Sequence, residues 1–346
     1  MQTKQRLNWI DMAKGYGMLL IIAGHLGDYG AYNFIKIWFF SFHVPLFFFL
    51  SGFVFKDSDG FSTFLKKKLR SIVVPYFCLG ITVVIFRCLW DYNSGTFTAD
   101  STIELLTGFL IQKRNWSIWF LACLFMLNLL FYVAKKVLKT NLLLSFFSVF
   151  CVALGVLYYY LGGKFLPWNI DASFMAFPFF FGGYYYKQRY NDVKKLFEKK
   201  YRIALLFVSL IIVNVLLCYI NFSINGRWFN MYDSRYGFAP ITYISAFAGI
   251  GFTLILSELT LLKTVRYVGE NSILYMAWHD EIMIPIAEKC LIVFCSVLSI
   301  KYESIHILMR YLIYMILIVS IITILNIAIT HTKLRFILGK RNLTYN

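Results

Sequence analysis

The sequence predicts an all-α integral membrane protein, a bundle of about ten transmembrane helices with both chain ends on the cytoplasmic side. Three observations predict it. Of 346 residues, 60% are hydrophobic and 15% charged, against roughly 45–50% and about 25% in soluble domains, and mean hydropathy is +0.66. So few charges cannot coat an aqueous surface, and the apolar excess must face lipid. This excludes a cytosolic enzyme, a secreted disulfide scaffold and a disordered chain. Second, apolar runs of about 20 residues recur along the chain, the length that crosses a hydrocarbon layer about 30 Å thick as helix. Third, the basic residues alternate with those runs. With the N-terminus inside, 23 of the 34 Lys and Arg fall in cytoplasmic segments, nine in outer ones and two, Lys14 and Arg87, within spans. That is the positive-inside pattern of an N-in, C-in protein, so the +17 net charge is mostly a record of orientation. A nucleic-acid partner is not implied.

The runs fall at 9–27, 34–55, 71–90, 116–134, 141–161, 170–186, 201–220, 239–259, 271–297 and 310–330. The first follows Lys4 and Arg6 and so begins like a signal peptide, yet Asp11 and Lys14 interrupt it and no small-residue cleavage site follows. It is expected to stay as a first helix. The second is rich in Phe, and the third follows the basic cluster Lys66, Lys67, Lys68 and Arg70. The ninth is expected as one tilted helix or a broken pair, with Pro285 near the join. The longest polar connections, 91–115, 187–201, 221–238 and 298–309, are too short for a soluble domain, which leaves one membrane domain over 1–346. Seven cysteines lie in or beside the apolar runs without a CxxC pair and read as small hydrophobes. No Walker A loop, GxGxxG or HExxH spacing occurs, so no ATP or metal cofactor is expected.

Ionisable groups inside a bilayer cost about 2.5–3.5 kcal/mol each even on the lenient insertion scale, which makes them functional candidates. The first helix carries Asp11, Lys14 and His25. Lys14 and His25, eleven residues apart, fall within about 20° of each other around a helix and about 16 Å apart along it, and Asp11 is close enough to pair with Lys14. Two readings of this stripe stay open. Asp11 and Lys14 could snorkel at the inner interface while His25 caps the outer end, or the stripe could line a cavity in a bundle that Gly15, Gly17 and Gly24 let close around it. His43, about 13 Å deep in the second run, and His279 in the ninth would let three imidazoles converge. A desolvated neutral imidazole is well suited to take a proton from an alcohol, and no Ser or Cys stands out as a nucleophile.

The runs Arg6–His25 (RLNWIDMAKGYGMLLIIAGH), Phe42–Phe53 (FHVPLFFFLSGF), Trp119–Leu121 (WFL) and Gly269–His279 (GENSILYMAWH) resemble the membrane acyltransferase 3 family, most of all its fucose 4-O-acetylase-like branch. The resemblance implies an integral-membrane acyltransferase that moves an acetyl or other acyl group from cytoplasmic acyl-CoA to a hydroxyl of a cell-envelope polysaccharide or lipid-linked sugar, in a bacterial plasma membrane. In the family's basic-x10-His motif, which falls on Lys14 and His25, the His is the catalytic residue and the basic residue assists with the donor. The family more often has Arg at the position of Lys14. Lys keeps the charge but lacks the planar fork. Where many members carry Arg-x-x-Arg before a PY dipeptide, this chain has Lys68 and Ser71 before Pro75-Tyr76, with Lys67 and Arg70 adjacent. This cluster is the candidate surface for CoA phosphates.

The expected roles are His25 as general base, His43 as a second proton-handling group, Lys14 with Asp11 as a donor-positioning pair, and Lys67, Lys68 and Arg70 as CoA contacts. His279, Trp119 and the outer loop residues Trp228, Asp233 and Arg235 are the expected acceptor contacts, with Tyr232 and Tyr236 as further stacking faces. Acetyl-CoA enters as a donor substrate and the lipid bilayer is the solvent. A transporter or flippase of lipid-linked sugars is the competing reading, because intramembrane Asp, Lys and His also serve proton coupling. No inverted repeat supports it. A non-catalytic membrane subunit is a further alternative.

Overall fold

The computed structural model describes residues 7–26, 33–56, 60–112, 114, 116–226 and 229–340. Helix makes up 84% of the structure, and no strand forms among the described residues. The helices are α1 (Asn8–His25), α2 (Asn33–Phe40), α3 (His43–Phe53), α4 (Gly60–Lys68), α5 (Val74–Asn93), α6 (Ala99–Ile111), α7 (Trp119–Val137), α8 (Asn141–Tyr160) and α9 (Ile170–Lys194). They continue with α10 (Lys200–Asn225), α11 (Ala239–Leu259), α12 (Lys263–Glu270), α13 (Ser272–Trp278), α14 (Ile284–Val297) and α15 (Ile307–Thr330). Two π-helical turns join neighbours without a break, Leu69–Val73 between α4 and α5 and His279–Met283 between α13 and α14.

Among the described residues, seven helical segments are long and apolar enough to cross a membrane, including 60–93 and 200–224. The chain is a multi-pass membrane protein. The expected runs at 9–27, 170–186 and 271–297 form helices outside those seven. α1 holds Asp11, Lys14 and three glycines, α9 ends in the charged stretch Lys187–Lys194, and the last run carries His279, Asp280 and Glu281. The ninth run is continuous through its π turn, which resolves the choice between one helix and a broken pair. The connection 91–115 contains α6, capped by the Thr98 hydroxyl, which accepts from Ser101 N–H. Its apolar residues Ile103, Leu106 and Leu110 are exposed.

The described residues form two compact units. One draws on Met1–Gly24, Asp28–Asp57 and Met126–Glu270, the other on His25–Gly27, Ser58–Phe125 and Asn271–Asn346. In the first, α3 packs on α9 and α10 on α11. The α3–α9 contact is as close as two backbones allow. A Cβ at Gly52 would stand 1.8 Å from the Phe180 carbonyl oxygen, and one at Gly183 would stand 1.8 Å from that of Phe49. The α1–α12 contact is built the same way, with Gly15 against the Val265 carbonyl and Gly269 against that of Asp11. Small residues at such crossings replace the hydrophobic drive that lipid does not supply. A buried polar knot ties further helices together: Trp38 Nε1 donates to Asn214 Oδ1 at 2.5 Å, and Asn214 Nδ2 donates to the Ser245 carbonyl at 2.8 Å.

In the second unit, α5, α13, α15 and the C-terminal 3-10 turn Lys333–Leu338 pack together. Trp278 Nε1 donates to Thr82 Oγ1 at 2.8 Å, Tyr275 and Thr323 hydroxyls pair at 2.6 Å, and Lys340 Nζ donates to Asn271 Oδ1 at 2.6 Å. All seven cysteines are free thiols. On α8, α10 and α15, residues such as Phe146, Val149, Val208, Ile212, Leu312 and Ile316 are exposed, as lipid-facing surfaces require. Replacing Gly52 or Gly183 by Leu is expected to cost at least about 1–3 kcal/mol, because a backbone carbonyl cannot yield as a side chain can. The measurement is the thermal midpoint in detergent, which should fall by several degrees; an unchanged midpoint would contradict the close α3–α9 contact.

Candidate active site

His25, the last residue of α1, belongs with the second unit. Its Nδ1 lies 3.2 Å from Asp280 Oδ2, with both side chains about one-third exposed. Its ring meets His279 edge to face, centroids 5.0 Å apart at 82°. A carboxylate accepting at Nδ1 places the proton there and leaves the lone pair on Nε2, the tautomer a general base needs. His279 is 1% exposed. Its Nδ1 donates to the backbone carbonyls of Tyr275 at 3.0 Å and Met276 at 2.9 Å.

His279 and Asp280, consecutive on the π turn, both reach His25. In an α-helix, neighbours diverge by about 100°, whereas the wider i→i+5 turn redirects the backbone locally, as π turns at functional sites often do. Pro285 follows at the start of α14, where its missing N–H removes one helical hydrogen bond. Glu281, next on the turn, pairs with Arg87 of α5 at 3.6 Å. Lys289 Nζ lies 3.7 Å from the centroid of the Trp90 ring.

Trp119 is buried at the start of α7, and the Arg114 guanidinium lies 5.7 Å from its ring centroid. The segment leading to it is strained: Gln112, Arg114 and Trp116 all have φ between 49° and 61°, a region costly for residues with a Cβ and found most at functional sites. Gln112 Nε2 donates to the Tyr76 hydroxyl at 3.1 Å, and that hydroxyl donates to the Phe109 carbonyl. The buried Ser117 hydroxyl lies beside the Asp280 carboxylate, outside hydrogen-bond geometry.

The other expected residues are placed as follows. Asp11 is buried and Lys14 half-buried on α1, in the first unit. His43 is also there, 1% exposed, its Nδ1 2.5 Å from the Phe39 carbonyl and its ring edge-on to Phe40. His25 and His279 lie together in the second unit, and His43 belongs to the first. Lys67 and Arg70 are exposed and Lys68 is half-buried with Nζ 5.6 Å from the Phe64 ring centroid. The C-terminal Gly339 packs on the backbone of Arg70 and Ser71. In the loop of the first unit, Asp233 and Arg235 pair with each other at 2.6 Å, and Ser234 Oγ donates to Asp171 at 2.9 Å. Tyr236 is 2% exposed, so its faces are covered and it cannot serve as a stacking platform. Trp228 lies outside the described residues.

Sequence reading passed over Asp280, Glu281 and the Arg87 pairing. The signal was present: two carboxylates within an apolar run carry the same penalty that drew attention to Asp11.

The apolar helices mark a multi-pass membrane protein, and the second unit carries a carboxylate–imidazole pair. Comparison with known families gives its kind. Residues 7–330 match the acyltransferase 3 family, described as an acyltransferase domain, and the chain belongs to that family. Neither the curated proteins nor the solved structures give a match. The chain is therefore a membrane acyltransferase. Tyr76→Phe removes the donor to the Phe109 carbonyl and is expected to cost about 1–3 kcal/mol. Trypsin should then cut faster after Arg114; an unchanged cleavage rate would contradict the role of Tyr76 in holding the described residues there.

Proposed function

We propose that the protein transfers an acetyl or other acyl group from cytoplasmic acyl-CoA to a hydroxyl of a cell-envelope polysaccharide or lipid-linked sugar, with His25 as general base. The observation that carries the reading is the 3.2 Å contact of His25 Nδ1 with Asp280 in a chain that belongs to an acyltransferase family. His25 Nε2 takes the proton of the acceptor hydroxyl as its oxygen attacks the thioester carbonyl. Collapse of the tetrahedral intermediate breaks the C–S bond, and the imidazolium returns the proton to the departing CoA thiolate. Asp280 holds the ring in its tautomer and stabilises the imidazolium, a positioning role.

On this reading Lys14 and Asp11 position the donor, and His43 is a second proton-handling group. The exposed Lys67 and Arg70, with Lys68, hold the CoA phosphates. Trp119 and His279, in the second unit, are the proposed acceptor contacts there, and the sequence expectation of acceptor contacts at Trp228, Asp233 and Arg235 is kept as part of the proposal. The excess of basic residues in alternate connections supports ten spans with both chain ends in the cytoplasm of a bacterial plasma membrane. The match over 7–330 runs through both compact units, which supports one acyltransferase domain. The resemblance to the fucose 4-O-acetylase-like branch supports an O-linked acetyl group.

Purified protein in lipid vesicles is expected to release free CoA from acetyl-CoA when envelope glycan is supplied, and His25→Ala should reduce this by about 10²–10⁴-fold. Full activity in His25→Ala at normal protein level would remove the base assignment. For the donor surface, Lys67→Ala/Arg70→Ala is expected to raise KM for acetyl-CoA about tenfold or more with kcat little changed, as loss of uniform binding does. An unchanged KM would move the CoA phosphates elsewhere.

A further inference from the structure

The family match ends at residue 330, yet the chain beyond it is built into the second unit. Residues Lys333–Leu338 form a 3-10 turn whose start is capped by the Thr332 hydroxyl, which accepts from Leu334 N–H. Leu338 is 5% exposed, and the turn packs on α5 and α15. Gly339 then takes a φ of +70°, and a Cβ there would stand 3.1 Å from the Arg70 carbonyl oxygen and 3.2 Å from Pro75 Cγ. Lys340 Nζ donates to Asn271 Oδ1 at 2.6 Å and ties down the end of the turn.

The charges oppose this docking. The turn and its end carry Lys333, Arg335 and Lys340, and the segment they meet carries Lys66, Lys67, Lys68 and Arg70. No Asp or Glu occurs from 60 to 90 or from 304 to 346. Among the described residues, the carboxylates of this unit lie within 91–104 and 280–303. Like charges gathered on one face repel. The positive-inside rule counts the charges of each connection and gives no reason for two basic segments to pack together. An anion held between them offsets the repulsion. Arg335 is half-buried, with Nε enclosed and without a hydrogen-bond partner, so its guanidinium is fixed in place rather than swinging in water.

Phosphate reaches a cytoplasmic surface as lipid headgroups or as the nucleotide end of CoA. A single phosphodiester charge is met by any exposed Lys. A phosphomonoester carries about −1.5 to −2 and three acceptor oxygens, which call for donors converging from more than one segment. The turn supplies that convergence. At about 2.0 Å per residue, Arg335 lies about 8 Å along the turn from Gly339, and Gly339 rests on Arg70 itself. We propose that Arg335 and Arg70 together hold the ribose 3′-phosphate of the acyl-CoA donor, which makes the C-terminal turn a donor-specificity element. This rests on the reading of acyl-CoA as the donor. Two planar guanidinium forks suit the oxygens of one phosphate better than flexible ammonium groups do.

The test uses the full chain in lipid vesicles with envelope glycan as acceptor. Acetyl-CoA and acetyl-3′-dephospho-CoA are compared by kcat/KM from thiol release, and 3′,5′-ADP is titrated as a binding probe. Wild type is expected to prefer acetyl-CoA by about tenfold or more, since a site built to bond a group discriminates against its absence. Arg335→Gln should bring that preference down toward one and weaken 3′,5′-ADP binding, and Arg335→Lys should keep part of both. Equal loss on both donors, an intact preference in Arg335→Gln, or a wild type indifferent to the 3′-phosphate would overturn the inference and leave acyl-CoA as donor. A loss in Arg335→Gln that appears in phosphatidylglycerol vesicles and vanishes in phosphatidylcholine ones would overturn it in favour of lipid headgroups. No thiol release by wild type from either donor, together with no binding of 3′,5′-ADP, would overturn both the inference and the donor reading.

Discussion

A carboxylate partly shielded from water gains from a donor, and the Asp280 carboxylate meets the His25 ring at 3.2 Å. The gain acts in both directions. Asp280 favours the Nδ1–H tautomer of the His25 ring, and His25 gives the Asp280 carboxylate a donor. The contact brings His25 to the π turn after α13, both within the second unit. The same turn brings His279 against His25, so the local irregularity of one helix determines the composition of the site. A regular α-helix over 272–297 would present these residues about 100° apart.

The remainder of the fold answers a different constraint. Lipid gives helices no hydrophobic reason to associate, so close backbone contact and buried hydrogen bonds hold them. The pairs Gly52 with Phe180 and Gly183 with Phe49 do this for α3 and α9, and Gly15 with Val265 does so for α1 and α12. In this light Gly269, the first residue of the Gly-Glu-Asn-Ser run, is required by packing, since its missing side chain admits the Asp11 carbonyl. The other unit begins at Asn271, which accepts from Lys340.

The helical, membrane-embedded class was legible in the sequence because it follows from composition and run length, and the runs at 141–161 and 239–259 fall within a residue of α8 and α11. α6 was not legible, since Glu104, Thr102 and Thr107 mask a 13-residue helix whose apolar side is exposed. The division of run 34–55 into α2 and α3 at Ser41–Phe42 leaves no mark on hydropathy. At the site, His25 and His279 stood out as ionisable groups in apolar runs. Asp280 was hidden because counting at 3.6 residues per turn gives two consecutive residues different faces, and a π turn cannot be foreseen from that count. The same limit affects the basic cluster, where the π turn Leu69–Val73 shifts the faces on which Lys68 and Arg70 fall relative to Pro75.

The central claim is that His25 and Asp280 act as one unit, and a double-mutant cycle on kcat/KM for acetyl transfer tests it most directly. If Asp280 works by orienting and stabilising His25, Asp280→Asn in a His25→Ala background should change little, so the double variant should match His25→Ala alone. Multiplicative losses, with the double variant slower than either single one by the product of their effects, would show that Asp280 acts apart from His25 and would contradict the account.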